Sequence, residues 1–324
     1  MSMNIAVIGT NFISDDFLLA AKAVRGVNVL AVYSRSKERG SVFAERHGIL
    51  RVYDDYCSML SDSDIDAVYV ASPIFSHKEQ SILAMSSGKH VFCEKMMAAT
   101  LDEFYAMKEA SERYGRVLLE AMRPAHDPLF KALKENLGRI GKVRRGTLSF
   151  CQYSSRYDKY KSGEVLNAFD PKIKNSALSD IGIYPLFAAL SLFGEPESLD
   201  AHSVFLDNGF EGEGVLTLGY PDKLLSITYS KIADGTLPSV IEGECGSLII
   251  NKISAPTKVT LKMRGEEPKL IASSDSEKNM RYEIEAFRDM CEGRLDHKPY
   301  LEITELQQKV VEASYELSGA KNYF

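Results

Sequence analysis

Short apolar runs and helical patterns alternate through the first third of the chain. Met3–Gly9 is apolar and β-branched, and the apolar positions of Phe12–Val24 fall largely on one helical face. The alternation continues with strands predicted at Val27–Tyr33, Ala67–Ala71, His90–Cys93 and Val117–Glu120, and helices at Lys37–His47, Ser76–Ser87 and Leu101–Tyr114. Because strands separated by helices need crossover connections, the pattern predicts an α/β domain with a doubly wound parallel sheet.

The pattern changes after about Arg123. Several β-like stretches now alternate apolar with polar residues, as in an antiparallel sheet with one solvated face. These strands are predicted at Val143–Tyr153, Glu197–Leu206, Gly214–Leu218, Leu224–Tyr229, Val240–Glu244, Leu248–Ile250 and Lys258–Lys262, with helices at Leu178–Phe193, Arg281–Cys291 and Ile303–Ser318. Since 324 residues also exceed the usual size of one core, we predict two domains, residues 1–122 and residues 123–324. The second is an α+β domain with a large, mostly antiparallel open sheet.

Composition and charge exclude several classes of protein. Hydrophobic residues make up 45% of the chain and the formal net charge is −6, which is typical of a globular protein without a basic nucleic-acid footprint. Apolar stretches reach only about six residues, far below the roughly 20 that span a bilayer. The N-terminus has no signal-peptide pattern, which indicates a cytoplasmic protein. The five scattered cysteines predict reduced structural thiols, and no metal site is predicted.

A glycine-containing turn joins the first strand to the first helix. Its sequence is Gly9-Thr10-Asn11-Phe12-Ile13-Ser14. At such a turn the first glycine permits a tight bend and the helix N–H groups face a pyrophosphate, so Gly9 to Ile13 are candidate dinucleotide contacts. Asn11 and Ser14 stand where two further glycines are usual; asparagine tolerates positive φ and serine is small. A strand, a turn and a helix with one glycine are, however, common in any α/β protein.

The second predicted strand ends without the acidic residue that usually binds the ribose 2′-hydroxyl of NAD. The residues there are Ser34 and Arg35, with Lys37 shortly after. A serine hydroxyl and a guanidinium suit a 2′-phosphate, so this strand end favours NADP, with NAD as the other possibility. The alternative is a solvated basic start to a helix.

Two later loops follow the carboxyl ends of predicted strands, where ligands of parallel sheets bind. Ser72, Pro73 and His77 lie after one strand, although His77 could equally be an ordinary first-turn residue of a helix. Glu94 and Lys95 end the next strand. A lysine beside a nicotinamide can polarise or protonate a carbonyl, whereas a surface ion pair is the simpler interpretation.

In the second domain, Asp180 and Tyr184 open a helical segment. They are four residues apart, so in an α-helix they would share a face. A phenol near a lysine ammonium can donate a proton, but a tyrosine on an apolar helix usually belongs to the core. Pro185 removes a helix N–H, so the helix starts close to this point or bends there.

Together and in this order, these segments resemble the Gfo/Idh/MocA oxidoreductases over nearly the whole chain. The stretches that carry the resemblance are Asp64–Pro73, Gly88–Lys95 and Ala177–Tyr184. The second is similar to the Glu-Lys-Pro signature of the family, and the third to the dihydrodiol dehydrogenase and glucose–fructose oxidoreductase branch. The resemblance implies an N-terminal Rossmann domain, Lys95 and Tyr184 as the catalytic pair with Asp180 orienting them, and a homodimer or higher homo-oligomer.

The chain departs from the family pattern at the glycine turn, at Ile74, where asparagine is frequent, and at Met96, which replaces the signature proline. A cis bond before proline is frequent in the family, whereas a non-proline cis bond costs about 3–4 kcal/mol. The Lys95–Met96 bond is therefore either trans, with the lysine repositioned, or cis with the cost borne by the surrounding fold.

These observations predict an NAD(P)-dependent oxidoreductase that moves hydride between the nicotinamide and a secondary alcohol or ketone of a small sugar or cyclic diol. Tyr184 would transfer the proton and Lys95 would hold the substrate oxygen. Arg123, just after the sixth strand, would line the cofactor cleft or form a salt bridge at the domain junction. The rival hypothesis is a non-catalytic nucleotide sensor on the same scaffold. The altered glycines and the lost proline fit it, whereas the lysine and tyrosine at the expected catalytic positions argue against it.

Overall fold

The structure is a computed structural model that describes residues 2–276 and 278–320. These residues divide into two compact units. The first holds the chain up to residue 122 together with residues 278–304, and the second holds residues 123–276 together with residues 305–320. The linear division predicted from the sequence assigned residues 278–304 to the second domain, and the structure differs there because a late helix packs in the first unit.

The first unit is built on a parallel sheet with the strand order β3-β2-β1-β4-β5-β6. The strand order reverses between β1 and β4, and successive strands are added towards one edge from β1 and towards the other edge from β4. This is the doubly wound topology expected from the alternating pattern. Its strands are β1 (Met3–Ile8), β2 (Val27–Tyr33), β3 (Arg51–Tyr53), β4 (Ala67–Val70), β5 (His90–Glu94) and β6 (Leu118–Ala121).

Helices cover the parallel sheet and bury its apolar residues. Those between the strands are α1 (Phe12–Ala21), α2 (Lys37–His47), α3 (Tyr56–Leu60), α4 (His77–Ser86) and α5 (Leu101–Tyr114). One core cluster includes Phe17, Tyr69 and Phe92 and is completed by Phe287 from α9 (Met280–Cys291), whose ring stacks on Phe92 at 5.0 Å. Helix α9 therefore belongs to this core although it follows the whole second sheet in the chain.

The second unit contains a mixed sheet with the strand order β14-β13-β12-β11-β7-β10-β9-β8. Neighbouring strands are antiparallel except β7 and β10, which are parallel, so the sheet is mostly antiparallel as predicted. Its strands are β7 (Val143–Cys151), β8 (Ser198–Phe205), β9 (Glu211–Tyr220), β10 (Lys223–Ser230), β11 (Ser239–Gly243), β12 (Gly246–Ile250), β13 (Lys258–Met263) and β14 (Lys269–Ser273).

The helices of the remaining chain are α6 (Pro128–Asn136), α7 (Ser155–Lys161), α8 (Ile183–Phe193) and α10 (Lys298–Ser318). Helix α8 is preceded by a turn of π-helix, Leu178–Gly182. The predicted break near Pro185 is thus a change from π- to α-helix two residues before the proline. Among the described helices, none is both long and apolar enough to cross a membrane.

Candidate active site

The glycine turn after β1 is tight at one position. Gly9 has φ +106°, and a Cβ placed on it would lie 2.9 Å from the Ala71 carbonyl oxygen. Its N–H donates to the Tyr33 carbonyl at 3.1 Å. Because a side chain would be strained and would also meet backbone, only glycine fits here. The tight bend expected for the first glycine of a dinucleotide turn is therefore present.

Asn11 has a different role from the one expected. Its φ is −93°, so tolerance of positive φ does not explain it, and that part of the sequence interpretation is wrong. The residue is the N-cap of α1: its Oδ1 accepts from the N–H groups of Ile13 at 3.0 Å and Ser14 at 3.2 Å. Its Nδ2 donates to the Ala71 carbonyl at 2.8 Å. The side chain thus fixes the start of α1 to the end of β4.

The end of β2 presents a buried serine and exposed basic residues. Ser34 is 7% exposed, and its Oγ accepts from the Ser36 N–H at 3.3 Å. Arg35 and Lys37 are exposed, and Ser36 caps α2 by accepting from Arg39 N–H at 3.3 Å. The positive groups therefore lie at the N-terminal end of a helix, where backbone N–H groups also favour an anion.

His77, the first residue of α4, is 1% exposed and connects two loops at the carboxyl edge of the sheet. Its Nε2 lies 2.8 Å from the Ser72 carbonyl, and its Nδ1 lies 3.1 Å and 3.3 Å from the Met96 and Met97 carbonyls. Burial lowers the pKa of His77 below its usual value, and the hydrogen bonds to the Ser72, Met96 and Met97 carbonyls oppose this shift. Since both nitrogens face backbone, His77 positions the loops, and the structure does not favour the direct cofactor contact predicted for it.

Lys95 follows β5 in a loop that is held from several sides. The Lys95–Met96 peptide bond is cis, which decides between the two alternatives that the sequence left open. The N–H of Met97 donates to Glu120 Oε1 at 2.9 Å, and the other oxygen of that buried carboxylate accepts from Thr304 Oγ1 at 3.1 Å. Lys95 itself is partly exposed, and its backbone belongs to this fixed loop.

Glu94, the last residue of β5, is 8% exposed and accepts a short hydrogen bond from the Tyr69 hydroxyl. Ser72 is partly exposed and donates to Gln80 Oε1 at 2.6 Å, while Pro73 has φ −60° at the start of the following turn. The loops after β4 and β5 therefore bring these predicted contacts to the carboxyl edge of one sheet, together with Lys95.

In the second unit, Asp180 lies in the π-helical turn and Tyr184 is the second residue of α8. Tyr184 is 9% exposed, and its ring lies 5.8 Å from that of Phe150. π-Helical turns are rare and are frequent at functional sites. Arg123 opens a short 3₁₀ turn, Arg123–His126, and is partly exposed; its predicted contact with the cofactor stays a prediction.

A lysine that the sequence interpretation missed is bound to Asp180. Lys231 follows β10 directly, and its Nζ lies 2.8 Å from Asp180 Oδ2. The lysine side chain is 5% exposed, whereas that of Asp180 is 35% exposed. Nothing in the pattern of β10 distinguishes this basic residue from others at strand ends, so only the three-dimensional structure identifies it.

A second residue that the sequence did not reveal, Glu211, is hydrogen-bonded to the same π-helical turn. It is fully buried, and its Oε2 accepts from the N–H of Leu178, the first residue of the π-helical turn, at 3.0 Å. Its Oε1 accepts from Ser203 Oγ at 2.6 Å and from the Tyr229 hydroxyl at 2.9 Å. Burial raises the pKa of Glu211, and these hydrogen bonds oppose the rise. The glutamate fixes the start of the segment that carries Asp180 and Tyr184.

Comparison with known proteins agrees with this architecture and with the sequence resemblance. Residues 3–122 match the oxidoreductase family with an NAD-binding Rossmann fold, and residues 131–249 match the Gfo/Idh/MocA C-terminal domain. The chain therefore belongs to the Gfo/Idh/MocA family and is an NAD(P)-dependent oxidoreductase, as predicted.

Individual relatives extend along most of the chain. It is 43% identical over 282 residues to the scyllo-inositol 2-dehydrogenase (NADP(+)) IolU of Bacillus subtilis, covering 87% of this chain and 86% of that protein. It is 26% identical over 317 residues to a mouse (Mus musculus) trans-1,2-dihydrobenzene-1,2-diol dehydrogenase, covering 94% and 93%. The solved structure of KijD10, a 3-ketoreductase from Actinomadura kijaniata, superposes with a TM-score of 0.87 at 23% identity and covers 98% of both chains. At this identity, the likeness to KijD10 shows a shared fold alone.

Proposed function

We propose that the protein transfers hydride between NADP and a secondary alcohol or ketone on a small, neutral, polyhydroxylated ring, such as an inositol or a sugar. The observation that carries the proposal is the 43% identity, over 87% of the chain, to an NADP-dependent scyllo-inositol dehydrogenase. Each unit, taken by itself, contains residue types that this reaction needs. The first has a dinucleotide turn, a basic strand end and a partly exposed lysine, and the second has a tyrosine four residues after an aspartate.

The residues at the glycine turn and at the end of β2 fit a phosphorylated dinucleotide. Gly9 permits the tight turn, since a Cβ there would meet the Ala71 backbone, and α1 begins just after that turn. Arg35 and Lys37 offer positive charge at the start of α2 without an acidic residue at the strand tip. The proposed cofactor contacts are Gly9, Thr10, Asn11, Phe12, Ile13, Ser34, Arg35, Ser72, Pro73, Glu94, Lys95 and Arg123. Bound there, the nicotinamide would accept or supply the hydride.

The proposed catalytic residues are Lys95, Tyr184 and Asp180. Tyr184 transfers the proton that accompanies hydride transfer, because a phenol can act as a general acid or base. The Lys95 ammonium holds the substrate oxygen and stabilises the charge that develops on it. Asp180 accepts hydrogen bonds from the substrate hydroxyl or orients the proton-transfer groups. We also propose that the protein acts in the cytoplasm as a homodimer or higher homo-oligomer through its second-domain sheet.

The proposal is tested by nicotinamide fluorescence during a screen of inositols, sugars and cyclic diols with NADPH, NADP and the corresponding NAD forms. We expect turnover with a cyclic polyol or its ketone, and tighter binding of NADPH than of NADH. Tight NADPH binding with no turnover on any substrate would instead support a nucleotide sensor. Absence of binding of either cofactor would contradict both functions.

A further inference from the structure

Lys231 forms a buried, charged junction in the second unit. Its Nζ donates to the Ala168 carbonyl at 2.7 Å and lies 2.8 Å from Asp180 Oδ2. The same Nζ lies 5.0 Å from the ring centroid of Phe169 and 5.2 Å from that of Phe210. An ammonium group is thus enclosed by a carboxylate, a carbonyl and two aromatic faces, each of which stabilises a cation.

The buried Lys231 ammonium would destabilise the fold if Asp180 did not pair with it. A desolvated ammonium is strongly unfavourable unless it is paired and hydrogen-bonded. Asp180 provides the countercharge, and because the aspartate side chain is 35% exposed against 5% for the lysine, its carboxylate is the accessible member of the pair. The lysine therefore fixes the carboxylate in place, while the aspartate side chain stays partly exposed.

The junction also reaches the segment that precedes the π-helical turn. Phe169 is fully buried; its ring lies 5.5 Å from that of Tyr157 in α7 and 4.9 Å from that of Phe210. Asn208 Nδ2 donates to the Phe169 carbonyl at 2.8 Å, which fixes the backbone next to Ala168. A continuous series of contacts therefore connects α7, through the two phenylalanines and Lys231, to Asp180.

We propose that Lys231 is a positioning residue for the reaction: it holds the Asp180 carboxylate in its productive orientation and couples the α7 segment to it. The inference rests on the proposed function, in which Asp180 contacts the substrate. The inference adds that Lys231, which is far from Asp180 in the sequence, affects substrate affinity and turnover only through the Asp180 carboxylate. Cofactor binding, which we assign to the first unit and Arg123, does not depend on Lys231.

Lys231→Met tests the proposal, because methionine keeps an unbranched stem and removes the charge. Lys223→Met is the matched control: Lys223 lies at the opposite end of β10, pairs with Asp222, and has its Nζ 5.7 Å and 5.3 Å from the rings of Phe193 and Tyr220. We expect Lys231→Met to lower kcat/KM for the polyol at least tenfold, with the NADPH Kd changed less than twofold. The control should change kcat/KM less than twofold.

The decisive comparison repeats Lys231→Met in an Asp180→Asn background. If the lysine acts through the carboxylate, the double variant is no slower than Asp180→Asn alone, because residues acting as a unit are not additive. An equal further loss in that background would overturn the proposal, and so would an unchanged kcat/KM in Lys231→Met. Because the inference rests on the proposed function, a parent protein without turnover overturns both, whereas an active parent with an unaffected Lys231→Met overturns only the inference.

Lys231→Arg provides a second measurement should the methionine variant not fold. Arginine keeps the cation but places its donors in a planar fork, so the carboxylate moves. We expect the KM for the polyol to rise at least fivefold while the NADPH Kd changes less than twofold. An unchanged KM would overturn the positioning role.

Discussion

Asn11 offers a sharp test of how the cofactor turn is built. Its side chain makes two separable sets of contacts: Oδ1 caps α1 at Ile13 and Ser14, and Nδ2 donates to the Ala71 carbonyl. Asn11→Gly removes both sets. Asn11→Asp keeps an oxygen for the cap, removes the donor to Ala71 and adds a negative charge where a pyrophosphate is proposed to bind.

The magnitudes follow from these contacts. Replacing an asparagine cap by glycine costs only a few tenths of a kcal/mol. The part-buried hydrogen bond to Ala71 is worth about 0.5–1.5 kcal/mol. We therefore expect Asn11→Gly to lower the free energy of unfolding of the first unit by about 1–2 kcal/mol. For Asn11→Asp, the added negative charge at the proposed pyrophosphate turn should weaken NADPH binding by about tenfold after solvent screening.

Fluorescence titration measures the change in NADPH affinity, and hydrogen exchange at the Ile13 and Ser14 amides measures the loss of the helix cap. Asn11→Gly leaves the Ile13 amide without its side-chain acceptor, whereas the Ser14 amide still donates to the backbone carbonyl of residue 11. The Ile13 amide should therefore exchange faster and the Ser14 amide should change less, while NADPH binds as tightly as before or more tightly. A loss of NADPH affinity greater than threefold in this variant would show that the Asn11 side chain itself contacts the cofactor. Unchanged affinity in Asn11→Asp would mean that the pyrophosphate does not bind at this turn.

Three further predictions concern the first unit. NADPH should bind about ten- to a hundredfold more tightly than NADH, since a charged hydrogen bond contributes about 1–3 kcal/mol; Arg35→Ala should remove most of the difference in parallel titrations, and equal affinities in the parent would contradict the assignment. His77→Phe leaves the Ser72 and Met96 carbonyls without their ring partner, so kcat should fall at least tenfold and stability by about 1–3 kcal/mol, whereas an unchanged kcat would refute a positioning role. Burial lowers the pKa of His90 to about 4, and its Nδ1 accepts from the Val117 N–H. Because the pKa is lower in the folded than in the unfolded protein, the unfolded chain binds the proton first, and the free energy of unfolding decreases as the pH falls from about 6.5 towards 4. In urea unfolding, this decrease should be about 2 kcal/mol smaller for His90→Gln than for the parent, a value already reduced for the partial exposure of the ring.

The sheets could be predicted because their strands follow simple hydrophobic patterns. The apolar runs of β1, β4 and β5 are buried on both faces, and the alternating strands after residue 143 form the mostly antiparallel sheet. Strand β3 has only three residues, Arg51–Tyr53, each partly exposed, so no periodicity marks it. The return of α9 to the first core also escaped prediction, because an amphipathic helix does not indicate which unit its apolar face contacts.

At the candidate site, residue types could be predicted but several of their partners could not. The sequence marks Lys95 and Tyr184 through motif positions, and Gly9 through its place between a strand and a helix. It misjudged Asn11, because a residue at a glycine position suggested backbone conformation, whereas the side chain caps a helix. It missed Lys231, since that pairing depends on strand order and on a π-helical turn that no local pattern reveals.

The most direct test of the central claim is steady-state turnover of the parent and of Tyr184→Phe on the best polyol from the substrate screen. Phenylalanine keeps nearly all the packing volume of the tyrosine, which is 9% exposed, so the NADPH Kd and the thermal midpoint should barely change. The account predicts that kcat falls by roughly 10²–10⁴-fold, the usual contribution of a general acid or base. Equal rates for the two proteins would show that Tyr184 is not the proton donor, and no turnover in either, with tight NADPH binding, would contradict the assignment of this chain as a polyol oxidoreductase.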